Sequence, residues 1–175
     1  MTFALAVQAR NIKSAMENKT IKIKLLVRQN YLQAIKNSVG TKMFRNTYVL
    51  INGEEEDITN NGELSCALYV SSILKLFDLI KEKHTTVYGA VSDMLKNGWH
   101  QTKKPILGDI LIWEEKDGHQ HIGFYIGNHK AISNSSEKRT PFVHHYTFGQ
   151  NGRKIIQVLT HQLNYAEKEI RRTQH

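Results

Sequence analysis

The apolar positions follow one rhythm in the first part of the chain and another in the second. Residues 3–17 and 21–38 lean helical, and the second stretch runs into Asn37-Ser38-Val39-Gly40, a helix stop. The alternation Ile21-Lys22-Ile23-Lys24 is the one part of that second stretch with a strand reading as the alternative. Residues 43–52 are rich in strand formers and end at Asn52-Gly53, a tight-turn pair. Residues 54–62 then read as an acidic, Asn-rich loop. Leu64, Ala67, Leu68, Val70, Ile73, Leu74, Phe77 and Ile80 make residues 64–80 apolar on most sides, which predicts a buried central helix. Residues 86–97 predict an amphipathic helix, with Val87, Ala90, Val91, Met94 and Leu95 on one face. Thr85 or Thr86 is its cap and Asn97-Gly98 its end. From residue 109 onward the period shortens to two. Residues 109–113, 120–126, 130–134, 142–148 and 154–159 read as strands, with Gly127-Asn128 turning between the second and third. Residues 165–172 read as a polar terminal helix or frayed end. Helices first and antiparallel strands afterwards is an α+β layout, a buried helix packed on one face of a sheet.

Composition narrows this picture. The chain has 175 residues, enough for one domain with its own core. No apolar run reaches the roughly 18 residues that a membrane-spanning helix needs. The opening MTFALAVQAR has no basic n-region and no small-residue cleavage site, so no signal peptide is expected. That leaves a cytoplasmic protein, or one exported by a non-signal route. A single cysteine excludes an internal disulfide and a Cys-rich zinc site. Net charge is +8, and residues 1–50 carry nine Lys/Arg against Glu17 alone, so the excess lies there. This divides the chain into a basic, mainly helical segment over 1–53, a core over 54–160 and a polar tail over 161–175. The basic segment suits an anionic polymer as partner, or is a solvated helix face.

The chemistry-bearing residues fall in the core. Cys66 follows Asn61-Gly62-Glu63-Leu64-Ser65, where a loop becomes the first turn of the buried helix. Free N–H groups and the positive end of the helix dipole favour a thiolate there, so a depressed thiol pKa is expected. The same N–H groups can receive an oxyanion. A lone cysteine is otherwise a small buried hydrophobe. His121 opens Ile122-Gly123-Phe124-Tyr125-Ile126-Gly127-Asn128, and the glycine two residues on leaves room for another chain or a substrate. A strand histidine facing a helix-start cysteine is a thiol nucleophile with its base. His119 shares the strand face of His121. Asn60 and Asn61 are candidate oxyanion donors or loop caps, and Trp113 and Tyr125 read as core. His144-His145 is a candidate cleft lining. His119, His121 and His144 together lack an acid to complete a metal site, so no cofactor or metal is expected.

Cysteine on a helix, then Leu107-Gly108-Asp109-Ile110-Leu111-Ile112-Trp113, then His121-Ile122-Gly123-Phe124-Tyr125-Ile126-Gly127-Asn128, resembles the NlpC/P60 superfamily of papain-like cysteine peptidases, close to the CHAP amidases. The resemblance covers roughly residues 60–160. It implies Cys66 as nucleophile, His121 as base, and a third polar residue on the next strand. Counting straight from His121 lands on Ser133, and a one-residue bulge lands on Asn134. A carboxamide orients an imidazole better than a rotating hydroxyl, which favours Asn134. The usual Asp-Cys-Ser-Gly is here Ser65-Cys66-Ala67-Leu68, a departure that leaves the substrate open. The resemblance implies an amide-cleaving hydrolase acting on peptide, with the peptide part of bacterial cell wall the family's usual target. An acyl transferase or protein peptidase is the alternative within the fold. A silent fold that binds anionic polymer through its basic segment is the alternative outside it.

Overall fold

A computed structural model describes residues 23–149 and 152–164. Helix α1 (Val27–Asn37) leads to a hairpin of β1 (Tyr48–Ile51) and β2 (Glu54–Asp57), then to α2 (Cys66–Leu76) and α3 (Val87–Lys96). The strands β3 (His100–Gln101), β4 (Ile110–Lys116), β5 (His119–Gly127), β6 (Lys130–Asn134), β7 (Pro141–His145) and β8 (Ile155–Thr160) follow. They form one antiparallel sheet in the order β3-β8-β4-β5-β6-β7. The α+β layout is as the pattern predicted, with α2 packed on β5 and β6. No helix among the described residues is long and apolar enough to cross a membrane.

Strand parity divides the core. Ile110, Ile112, Ile122, Phe124 and Ile132 face the helices and join Tyr31, Ile35, Tyr69, Val70 and Leu74. Three aromatic rings meet edge to face at its centre: Phe124 lies 6.1 Å from Tyr31 and 5.4 Å from Tyr69. Leu111, Trp113, Ala131 and Val158 face the other way and are covered by Tyr125, Tyr146, Phe148 and Ile155. Trp113 and Tyr125 therefore pack as core, as their surroundings in the sequence suggested.

Local signals account for the tightest elements. Thr86 Oγ1 accepts the Gly89 N–H at 3.2 Å to cap α3, and Asn97 closes it. Asp117-Gly118 turns β4 into β5 with both residues at positive φ. The β5–β6 turn is Asn128-His129, one residue later than the Gly127-Asn128 expected, because Gly127 still pairs with Lys130. Residues 54–57 were expected as loop and form a strand instead. The Asn52-Gly53 turn brings Glu54 to Asp57 against Ile51 to Tyr48. The expected division at 53/54 thus falls inside a hairpin, and α1 reaches across it. Tyr31 and Ile35 are wholly buried in the helix-side core, and Tyr31 Oη donates to Gly108 O at 2.7 Å. The helices expected over 3–17 and at 165–172 lie outside the described residues.

Candidate functional site

The start of α2 and the start of β5 border one cavity of about 870 Å3, lined by Cys66, His121, Asn134, Phe142, Phe148 and Arg153 among others. The loop that delivers Cys66 is wound around Asp57. That carboxylate accepts the Thr47, Thr59 and Asn61 N–H groups, the Thr59 hydroxyl and the Asn46 amide, all within 3.1 Å. Burial alone would raise its pKa; the hydrogen bonds outweigh it and hold the carboxyl well below the usual carboxylate range. Asn60 and Asn61 both take positive φ in this loop. Asn60 Nδ2 donates to Glu63 at 2.9 Å, so the two asparagines shape the loop.

Cys66 is the first residue of α2 and is half-buried. Its thiol donates to Gln120 O at 4.0 Å, on the strand that carries His121. Burial pushes the thiol pKa up, against the N–H groups of Ile122, Ala67 and Cys66 itself and the charge of Arg153, which favour thiolate. The thiolate expected from the helix terminus is therefore not the resting form, because desolvation outweighs the helix N–H groups.

His121 Nε2 lies 2.8 Å from Ser133 Oγ, and Ser133 Oγ lies 2.8 Å from His144 Nε2. Gly123 makes this approach available. It pairs with Ser133 across β5–β6, and a Cβ on it would stand 2.7 Å from Ser133 Cβ and from Ile132 O. The proton positions in the chain follow from its far end. His144 Nδ1 is 2.8 Å from His145 O, and a carbonyl only accepts, so Nδ1 carries the proton. In neutral His144 the Nε2 then accepts, Ser133 donates to it, and Ser133 Oγ accepts from His121 Nε2–H. His121 Nδ1 keeps its lone pair and has no hydrogen-bond partner among the described residues.

Burial holds both imidazoles neutral. His121 is lowered to about 3 by desolvation, with smaller effects from Arg153 and His144. His144 is lowered to about 4, again mainly by desolvation. Trp113 lies 5.5 Å from His121 and 5.7 Å from His144, and Phe148 stacks on His144 at 4.0 Å. At rest the thiol and the imidazole are both neutral and border the same cavity, with no hydrogen bond between them among the described residues.

The structure brings Ser133, rather than Asn134, to His121. β5 and β6 pair without a bulge from Gly123–Ser133 to Tyr125–Ala131; the irregularity falls at Gly127, beyond the site. Ser133 consequently shares the face of His121. Asn134 Nδ2 instead donates to Gly62 O at 2.6 Å and braces the loop ahead of Cys66. Arg153 is the residue that sequence reasoning passed over, while His144, expected as a cleft lining, turns out to be hydrogen-bonded to Ser133. His144 reaches Ser133 through the β6–β7 register, where Ala131 pairs with His144 and Ser133 with Phe142. Parity along that hairpin was the available signal, hidden by the six residues between the strands. His119 is exposed on the cavity rim. Among the described residues no three His, Cys, Asp or Glu side chains gather as a metal would need.

The class these observations define is an α+β protein with one cavity bordered by a helix-start thiol and a hydrogen-bonded imidazole. No family model matches the chain, and no curated protein matches it in sequence.

Proposed function

We propose that this protein is a papain-like cysteine hydrolase of the NlpC/P60 type that cleaves amide bonds. The observation that carries the reading is the chain His121–Ser133–His144, which leaves His121 Nδ1 as an unprotonated base on the cavity that Cys66 borders. The Cys66 S–H proton passes to His121 Nδ1 as sulfur attacks the substrate carbonyl carbon. The carbonyl oxygen gains the negative charge, with the free N–H groups at the start of α2 as donors. Collapse breaks the C–N bond, and His121 returns the proton to the departing amine. Water then hydrolyses the Cys66 thioester with His121 again as base. Ser133 keeps the ring in the tautomer that leaves Nδ1 free, and His144 fixes the direction of the Ser133 hydroxyl.

Both shifts oppose transfer of the thiol proton to His121 in the empty site, so the transfer has to be coupled to the attack on the carbonyl. The ion pair is needed only when substrate is present, and proton transfer within the pair changes no net charge. The family's usual substrate, the peptide part of bacterial cell wall, is the target we propose, with the basic N-terminal segment favouring anionic wall polymers. Incubation with defined cell-wall peptides, read by mass spectrometry, should release a new amine and a new carboxylate. Cys66→Ala and His121→Ala should each abolish that release.

A second reading, a catalytically silent fold that binds anionic polymer, is favoured by one observation: the resting thiol contacts Gln120 O. Polymer retention with no cleavage, unchanged in Cys66→Ala, is the outcome that selects it.

A further inference from the structure

Arg153 stands between the cavity and the turn that joins β4 to β5. Its backbone is held in place by its neighbour: Glu114 N donates to Lys154 O at 2.9 Å, and Lys154 N donates to Glu114 Oε1 at 2.9 Å. The guanidinium itself makes one long hydrogen bond, Nη2 to Lys116 O at 3.3 Å, and no ion pair among the described residues. By contrast Arg139, near the same loop as Cys66, is matched to Glu63 at 3.7 Å. A half-buried arginine that lines a cavity with most of its donors unused has the fork geometry that takes a carboxylate in two parallel hydrogen bonds.

A role in generating the nucleophile does not explain it. Its charge favours the Cys66 thiolate but disfavours the His121 imidazolium, and the two effects oppose each other in the pair. Of the acids on the cavity, Glu63 is matched to Arg139, and Glu115 and Asp117 lie at the exposed turn; none of the three pairs with Arg153. What the arginine offers is a place for an anion beside the reacting atoms.

We propose that Arg153 is a specificity-determining residue that receives a carboxylate a few bonds from the scissile carbonyl, so that the substrates of Cys66 are amides flanked by an anionic group. The inference rests on the hydrolase reading for the word substrate, but the anion site itself stands or falls alone. A neutral amide of the same shape leaves the guanidinium desolvated and unpaired, so discrimination comes from that cost as well as from the bonds gained.

Iodoacetate and iodoacetamide test this directly, since each alkylates Cys66 with loss of iodide and they differ in charge at nearly equal size. The ratio of the two rates on the native protein should fall roughly tenfold in Arg153→Gln, partly recover in Arg153→Lys, and shrink toward the variant's value at high salt. An unchanged ratio, or an equal slowing by both reagents, overturns the proposal; the second would mean that the guanidinium acts on the thiol alone. A second measurement does without thiol reactivity. In Cys66→Ala protein, the His121 imidazole resonances are followed on titration with N-acetylglycine and with N-acetylglycinamide. A preference for the carboxylate that disappears in Cys66→Ala/Arg153→Gln supports the anion site even if Cys66 proves inert and the hydrolase reading fails. Equal weak response to both compounds overturns the site whatever Cys66 does.

Discussion

Ser133 and Asn134 are adjacent, both buried, and tied to different parts of the molecule. Their alanine variants should therefore fail in different ways. Ser133→Ala removes the hydroxyl between two imidazoles while leaving the thiol and the cavity. On the proposed hydrolase reading, turnover should drop by about ten- to a thousand-fold with little change in melting temperature. Asn134→Ala strands the Gly62 carbonyl that it caps, which should cost about 1–3 kcal/mol in a urea titration and affect turnover only through the loop ahead of Cys66. The reverse assignment of effects would place the imidazole's working partner at Asn134 after all. The same neighbourhood sets an acid limit. His121 and His144 are held near 3 and 4 by burial, below the ordinary histidine value, so the unfolded chain binds protons that the folded chain refuses. Their contribution is complete above about pH 6.5 and is lost as pH falls toward those values. Asp57 and Asp93 are lowered, so their contributions persist until pH drops below about 4 and do not blur the window. Melting temperature should fall between pH 6.5 and 4.5, and less steeply in His144→Gln, with half-buried His161, also lowered by desolvation, as common background. Parallel curves for the two proteins would remove His144 from the acid response.

Among the elements, β5 faces β6 across Gly123 and Ser133, and an added methyl on Gly123 has no room. Gly123→Ala should cost about 1–3 kcal/mol and push Ser133 away from His121, seen as loss of the coupled imidazole signals by NMR. Full retention of both would mean that the strands part without penalty. This glycine was legible in the sequence, as were Cys66 at a helix start, His121 on a strand, β6 to the residue and α3 with its cap. Each depends on contacts within a few residues. What could not be read depends on partners far along the chain. α2 was expected to run to Ile80 but ends at Leu76, and Asp78 turns back at positive φ with no glycine or proline to announce it. Leu79 is instead pinned by the Trp99 indole, 20 residues away, at 2.9 Å. β2 is a run of acids with no apolar face, and it is a strand because β1 pairs with it. The choice between Ser133 and Asn134 required a register, and a preference for the better hydrogen-bonding group pointed to the wrong neighbour for His121.

At the scale of the whole molecule, the basic first fifty residues divide differently from their charge. Four of their nine cations, Arg10, Lys13, Lys19 and Lys22, precede the described residues, and the other five lie in or beside α1 and the β1 approach. Lys24, Lys36 and Lys42 are exposed, while Tyr31 and Ile35 on the same stretch are wholly buried against Phe77, Phe124 and their neighbours. One segment thus carries a charged outer face and part of the core. Two truncations separate these roles. Removing residues 1–22 keeps α1, so cooperative unfolding should persist. Binding to an anionic polymer, measured against salt, should weaken and show a shallower salt dependence as cations are lost. Removing residues 1–40 takes away Tyr31, Ile35 and the hydroxyl that ties α1 to Gly108. Two large buried side chains lost together cost about 5–10 kcal/mol, comparable with the whole stability of a domain this size. That truncation should yield no cooperative transition in circular dichroism. A milder variant checks that the loss is specific. Tyr31→Phe deletes only the hydroxyl and should lower stability by about 1–2 kcal/mol while the fold survives. If the 1–40 truncation instead melts cooperatively near the full chain's temperature, α1 is an appendage, and the packing of Tyr31 against Phe124 contributes little to holding the sheet beneath Cys66.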